Sequence, residues 1–208
     1  MPDSVPVLYC DSALIVVDKA AGLLAVPGRG EHLQDCVAAR VKALFADALV
    51  VHRLDQATSG LMVLARGAAA QRALSRAFAD RHVAKRYVAV VDGLMVDEAG
   101  SIDLPLAADW LNRPRQRVDA QRGKASLTHW RVLARDLAAR TTRVELEPVT
   151  GRSHQLRVHL LAIGHAIVGD ALYTGTPNAP RLMLHASALT IPHPLDARPL
   201  NFVSAVPF

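Results

Sequence analysis

The sequence predicts an α+β fold built on a mixed, largely antiparallel sheet flanked by helices. Apolar segments rich in Val, Leu and Ile come in sequence-adjacent pairs, and only three stretches repeat their apolar residues at helical spacing. A regular strand–helix–strand rhythm is missing, and so is a glycine-rich phosphate loop opening a helix. Nothing in the chain asks for a dinucleotide or ATP.

Taken in order, ALIVVDKAAGLLAVPG (13–28) reads as a β-rich segment with turns at Gly22 and Pro27-Gly28. Val37, Val41, Leu44 and Phe45 then recur at helical spacing and predict an amphipathic helix over 33–46. LVVHRLD and GLMVLAR read as strands on either side of a polar cluster. From 67 to 82, Ala70, Leu74, Ala77 and Phe78 form one helical face, with Arg72 and Arg76 on another. KRYVAVVDG (85–93) alternates and ends in Asp-Gly, a strand and its turn. SLTHWRVLAR and RTTRVELEPV are two strands joined by a short polar link at 136–140. HQLRVHLLAIG (154–164) is helical and stops at a glycine, as a C-terminal cap requires. RLMLHASALTI and LNFVSAVPF supply the last two strands.

The 208 residues suit a single domain over 1–208 with a substantial core. Hydrophobic content of 51% and charged content of 21% are ordinary for a soluble globular protein. A net charge of +5 leans towards a polyanionic partner. Cys10 and Cys36 have neither CxxC spacing nor metal-ligand company and read as free thiols in a reducing compartment. The start, MPDSVPVLYC, lacks a signal peptide's basic and apolar regions, and no apolar run is long enough to span a bilayer. A cytoplasmic protein with no membrane partner is expected.

Four stretches concentrate polar chemistry. VHRLDQATSG (51–60) sets an imidazole, a guanidinium, a carboxylate and two hydroxyls between two apolar runs. A carboxylic acid with an ordinary pKa of about 3.9 is ionised near neutrality, so an Asp55 caught between buried strands needs a cationic or multiply donating partner. The plain alternative is a turn in which Asp55 and Thr58 bond nearby amides. TGRSHQLR (150–157) brings Arg152 and Arg157 to the start of a helix, and a permanently charged planar fork suits a buried carboxylate. The plain alternative there is a basic surface helix. His154 and His159 are five apart, a poor spacing for two ligands on one helical face, and no metal is expected. Lys85-Arg86-Tyr87 opens an alternating strand, where a tyrosine ordinarily packs with its hydroxyl wet. DWLNRPRQRVDAQRGK (109–124) surrounds one tryptophan with Arg113, Arg115, Arg117, Arg122 and Lys124: a solvated loop, or an arm lying along phosphates.

HRLDQATSG, KRYVAVVDG and TGRSHQLRVHLLAIGHAIVGDALY, in this order and spacing, resemble the RluA family of pseudouridine synthases. The likeness covers nearly the whole chain, through DKAAGLLAVPG, DLPLAADWLNRPRQRV and RLMLHASALT. Departures are small: Ala20-Ala21 stands where the family has a proline before Gly22, Ala166 where a proline is common, and Thr174 separates Tyr173 from Gly175. None removes a chemical group. The middle stretch, the short length and the lack of a preceding S4-like RNA-binding domain narrow the resemblance to the dual-specificity branch, whose substrates are the tRNA anticodon stem-loop and a 23S rRNA stem-loop.

That resemblance implies the family's catalytic fold, an RNA partner, no cofactor and a monomer. The reaction breaks a C–N glycosidic bond, turns the freed uracil and joins its C5 to the ribose. Asp55 is then the nucleophilic carboxylate; attack on the ribose, attack on the base and assistance to a glycal all remain open. Arg157 pairs with Asp55, Arg152 serves phosphate, and Tyr87 stacks near the target base and relays or accepts the C5 proton. The target uridine must leave its stack at a cost of a few kcal/mol, and Arg53 fills the space left behind. His52, Arg113, Arg115 and Arg117 complete the RNA-binding set. Rival readings are an RNA-binding module without catalysis, a hydrolase using an aspartyl nucleophile or a metal, and a sister synthase acting on another uridine.

Overall fold

A computed structural model of the chain describes residues 5–175 and 179–208. The chain runs through β1 (Val7–Cys10), β2 (Leu14–Lys19), α1 (Val37–Leu44), β3 (Ala48–Val50), β4 (Ser59–Arg66) and α2 (Gly67–Ala79). It continues through β5 (Ala84–Asp92), β6 (Ala99–Asp103), β7 (Leu106–Ala108), β8 (Gln116–Val118), β9 (Leu127–Asp136) and β10 (Thr141–Pro148). It closes with α3 (Gln155–Ala162), α4 (Ala171–Thr174), β11 (Leu184–Pro192) and β12 (Pro199–Val203). The fold is α+β with mostly antiparallel strand pairing, as the apolar patterns predict. Two compact units form, Met1–Lys85 with Ala186–Pro207, and Arg86–His185 with Phe208.

In the first unit β2 pairs antiparallel with β1 on one edge and with β4 on the other, Leu14 opposite Ala65 and Lys19 opposite Gly60. Ile15, Val17, Met62 and Leu64 are as fully buried as Leu14, Val16, Leu61 and Val63 on the opposite face. Burial on both faces is why LIVV and LMVLA read as continuous apolar runs rather than alternating ones. α2 packs Ala70, Leu74 and Ala77, one stripe at helical spacing, against this layer. Gly60 has a φ of 112°, and a Cβ there would lie 2.4 Å from the Ala186 carbonyl oxygen, so only glycine admits this approach of β4 to β11.

Three sequence expectations are trimmed. The 33–46 helix begins only at Val37, because the Cys36 sulfur accepts the Ala39 amide at 3.3 Å and caps it. The 67–82 helix ends at Ala79. LVVHRLD is a strand only as far as Val50; from 51 to 58 the backbone leaves the ladder. Cys10 and Cys36 are both free thiols.

A polar anchor in this unit is Asp11 in the β1–β2 turn. Its carboxylate accepts the amides of Ala13 and Leu14 at 2.7 and 2.9 Å, the Tyr9 hydroxyl at 2.7 Å and a ring N–H of His193 at 3.0 Å. Burial pushes the acid up, but these donors outweigh it and hold the pKa at about 2.

In the second unit β10 lies between β5 and β9, antiparallel to both, with Tyr87 opposite Leu146. β6 lines the far edge of β9, and β7 and β8 form a separate two-stranded hairpin. α3 buries every residue from Gln155 to Leu160, including both of its ionisable side chains, so it is a core helix and the basic-surface alternative does not apply. It ends before Gly164 at φ 86°, the glycine stop read from the sequence. No helix among the described residues is long and apolar enough to cross a membrane.

Candidate active site

The 51–58 stretch is held from three sides. Leu54 is buried as its anchor, while Asp55 stays half-buried and Arg53 points to solvent. The Thr58 amide closes a turn on the Asp55 carbonyl at 3.1 Å. Behind the turn, the fully buried Lys19 ammonium donates to the carbonyls of Ala20, Leu23 and Gln56 at 2.9, 2.6 and 2.9 Å. The Gly22 amide and the Gln56 side-chain amide add two bonds across the same gap. A cation that replaces its water shell with three carbonyls is costly to move, so the backbone next to Asp55 is fixed to the 20–23 turn.

His52 secures the other side. Its Nε2 accepts the Val63 amide of β4 at 3.0 Å, taking the place of a missing strand partner, and its ring stacks on Phe78 at 4.6 Å. An imidazole that accepts there is neutral. Burial, reinforced by the nearby charge of Lys85, pushes it down to about 3. His52 therefore shapes the loop from within its own unit.

The TGRSHQLR segment is organised by a side chain the sequence reading passed over. Gln155 Oε1 accepts the Arg152 amide at 3.0 Å and the Thr150 hydroxyl at 2.8 Å. Its Nε2 donates to the Leu127 carbonyl and the Thr128 hydroxyl oxygen, both at 3.0 Å. This amide is fully used and pins the entry of α3 to β9. One turn on, the buried Arg157 donates through Nε and Nη2 to Asp170 at 2.8 and 2.6 Å. A bidentate fork of this kind fixes both the charge and the plane of the guanidinium. The sequence carries a signal for Asp170: a carboxylate closing the apolar run AIVG requires a cation.

The two histidines of this segment serve different partners. His154, in the left-handed region at φ 54°, shares a hydrogen bond of 2.8 Å between Nδ1 and the Tyr173 hydroxyl. His159 faces the Leu104 carbonyl through Nε2 at 3.0 Å and the Thr128 hydroxyl through Nδ1 at 2.9 Å. A carbonyl only accepts, so Nε2 carries the proton, and burial lowers the ring's pKa.

Tyr173 also accepts the Gln116 amide at 2.9 Å and lies under the guanidiniums of Arg157 and Arg115 at 5.0 and 6.0 Å. Arg157 and Arg115 thus meet at one ring. Arg115 donates to the Leu172 carbonyl at 2.7 Å, Arg117 pairs with Asp119 at 3.0 Å, and Arg113 covers the Trp110 ring at 3.4 Å. Arg152 is exposed and reaches the Ala125 carbonyl. Tyr87 is half-buried on β5. The neighbouring Arg86 approaches Glu145 at 3.8 Å.

In the first unit Asp55 is presented on an immobilised turn, and in the second Arg157 is locked in plane on a buried helix. The model of the RNA pseudouridylate synthase family matches residues 13–162, which include both segments. The chain belongs to that family and is an isomerase that converts uridine in RNA to pseudouridine. It is similar to the dual-specificity RNA pseudouridine synthase RluA of Yersinia pestis, at 49% identity over 94% of this chain and 96% of that protein. The protein of the same name from Escherichia coli (strain K12) is 47% identical over 97% of this chain and 93% of its own length. Among solved structures, human RNA pseudouridylate synthase domain containing 1 superposes with a TM-score of 0.81 at 28% identity, over 98% of this chain and 84% of that one.

Proposed function

We propose that this chain isomerises uridines in two RNAs, the tRNA anticodon stem-loop and a 23S rRNA stem-loop, with Asp55 as its nucleophile. The two-substrate reading is supported by the relatives, which carry the name dual-specificity synthase. The residue assignment is carried by one observation: the backbone beside Asp55 is braced by Lys19 and its carboxylate stays half-buried. A nucleophile gains most when its position is fixed before substrate arrives.

In this reading the C1′–N1 bond breaks with Asp55 engaged, the uracil turns, and a C5–C1′ bond forms. The C5 proton leaves to Tyr87 and N1 takes up a proton, so the atoms balance with no redox step or group donor. Arg157, which the family resemblance assigns as the partner of the nucleophile, is oriented by Asp170. Arg53, exposed on the same turn as Asp55, fills the gap left by the extruded uridine. Arg113, Arg115, Arg117 and Arg152 hold RNA backbone, and His52 contributes through the shape of its loop. The span 1–208 works as one catalytic domain, as a monomer, in the cytoplasm.

The test is direct. Purified protein is incubated with each unmodified RNA, C5-tritium release is counted and the product is mapped by sequencing. One pseudouridine in each RNA is expected from the wild type. Modification of other RNAs only would overturn the target assignment and leave the family membership standing.

A further inference from the structure

The hairpin tip between β7 and β8 closes on itself. The Asp109 amide donates to the Arg115 carbonyl at 3.0 Å, the Asn112 amide reaches the Asp109 carbonyl at 3.2 Å, and the Asn112 side chain donates to the Asp109 carboxylate at 2.9 Å. On this closed tip stands Trp110, 72% exposed, with the Arg113 guanidinium over its ring. One face of the indole is taken by a cation and the rest is in water. Trp130, by contrast, is buried in β9. With Leu111 beside it 95% exposed, the indole is part of an uncovered apolar plate on the tip.

Below the tip is an open groove of about 540 Å³, lined by Trp110, Arg117, Arg122, Lys124 and Arg152 among others. That volume falls within the range of small-ligand sites. Four cations face one carboxylate there, and that carboxylate, Asp119, is already paired with Arg117. Arg122 and Lys124 make no ion pair among the described residues. An aromatic plate beside unneutralised cations is the arrangement that holds single-stranded nucleic acid, base on the ring and phosphate on the charges.

We propose that this groove is a subsite for one unpaired nucleotide of the RNA substrate, distinct from the target uridine, with its base stacked on Trp110 and its phosphate held by Arg122, Lys124 and Arg152. The inference rests on the RNA-modifying reading above and adds a position at which the enzyme discriminates loops by their splayed bases. Arg113 prepares the ring by holding its plane, so little freedom remains to be lost on binding.

The test uses the full chain and a substrate stem-loop. Acrylamide quenching of tryptophan fluorescence should fall when RNA is added, because the exposed indole becomes covered. Trp110→Ala should raise Kd about tenfold, within the range for loss of one base stack, and Trp110→Phe should restore most of the affinity. A series of stem-loops with one abasic nucleotide each should contain one position whose loss weakens wild type but not Trp110→Ala. Quenching unaffected by RNA, or additive effects at every abasic position, would overturn the subsite. Wild-type protein that isomerises its uridine while Trp110 stays accessible sinks the subsite alone. Wild-type protein that forms no pseudouridine sinks the broader reading.

Discussion

The Asp55 loop and the Trp110 hairpin tip are both polar excursions between strands, and they are built in opposite ways. The first spends its hydrogen bonds on neighbours far away in sequence: Lys19 reaches a carbonyl 37 residues on, and His52 caps an amide 11 residues on. The second spends most of them on itself, Arg115 alone reaching away to the Leu172 carbonyl at its base, and leaves its largest side chains in water, Leu111 at 95% exposure beside Trp110. Bonds to distant backbone fix a group relative to the core, whereas bonds within a tip fix only its shape. The carboxylate proposed as nucleophile has the first kind of support, and the surface proposed to meet an unpaired RNA base has the second.

The sharpest test of that contrast is Asp55→Asn, which keeps the loop's shape and removes the proposed nucleophile. Tritium release should fall to background while the Kd for RNA and the unfolding midpoint stay near wild type; measurable turnover would remove Asp55 from the chemistry. Next in size is the support of α3. Arg157→Met leaves the Asp170 carboxylate buried without its fork and should cost about 3–5 kcal/mol in urea unfolding. The double variant Arg157→Met/Asp170→Leu should recover most of that stability, but not turnover. A double variant no more stable than the single one would show that the pair does not hold the helix.

Lys19→Met should cost about 2 kcal/mol, since the Ala20 and Leu23 carbonyls lose their donor at about 1 kcal/mol or more each, while that of Gln56 keeps the Gly22 amide. Its effect on turnover should exceed that of Arg157→Lys if bracing the Asp55 turn is its purpose. Acid should act on the same loop. His52 is neutral in the fold with a pKa near 3, against about 6.5 when unfolded, so the unfolded chain binds the proton first. The stability it protects is fully present above about pH 6.5 and declines by about 1.4 kcal/mol per pH unit as pH falls towards 3. His52→Phe should remove that share of the slope in pH-dependent unfolding. The smallest effect belongs to the groove below the tip: Arg122→Gln should lower the salt dependence of RNA binding by about 0.7 in log–log slope. An unaltered slope would mean that this side chain meets no phosphate.

Much of the fold is visible in the sequence because its causes are local. The apolar stripe of α2 and the doubly buried runs of β2 and β4 are written in residue order, and so is the glycine that ends α3. Failures cluster where the cause is distant. LVVHRLD looks like one strand, yet the ladder stops at Val50 because the His52 ring itself takes the Val63 amide. The same holds at the site: HRLD marks Asp55 and Arg53 through a distinctive motif, whereas Lys19, Gln155 and Asp170 look like ordinary polar residues. Their importance lies in partners 13 to 37 positions away. β1 escaped notice because it is mostly exposed and shows no alternation.

Beside Asp170, Gly169 adopts a φ of 80°, and a methyl group there would sit 1.8 Å from the Arg181 carbonyl oxygen. The backbone at that crossing has no clearance left. Changes in the length of nearby connections must therefore be absorbed elsewhere. In a library of random variants, this position, like Gly60, should lose even alanine from the survivors, although no reacting atom is touched.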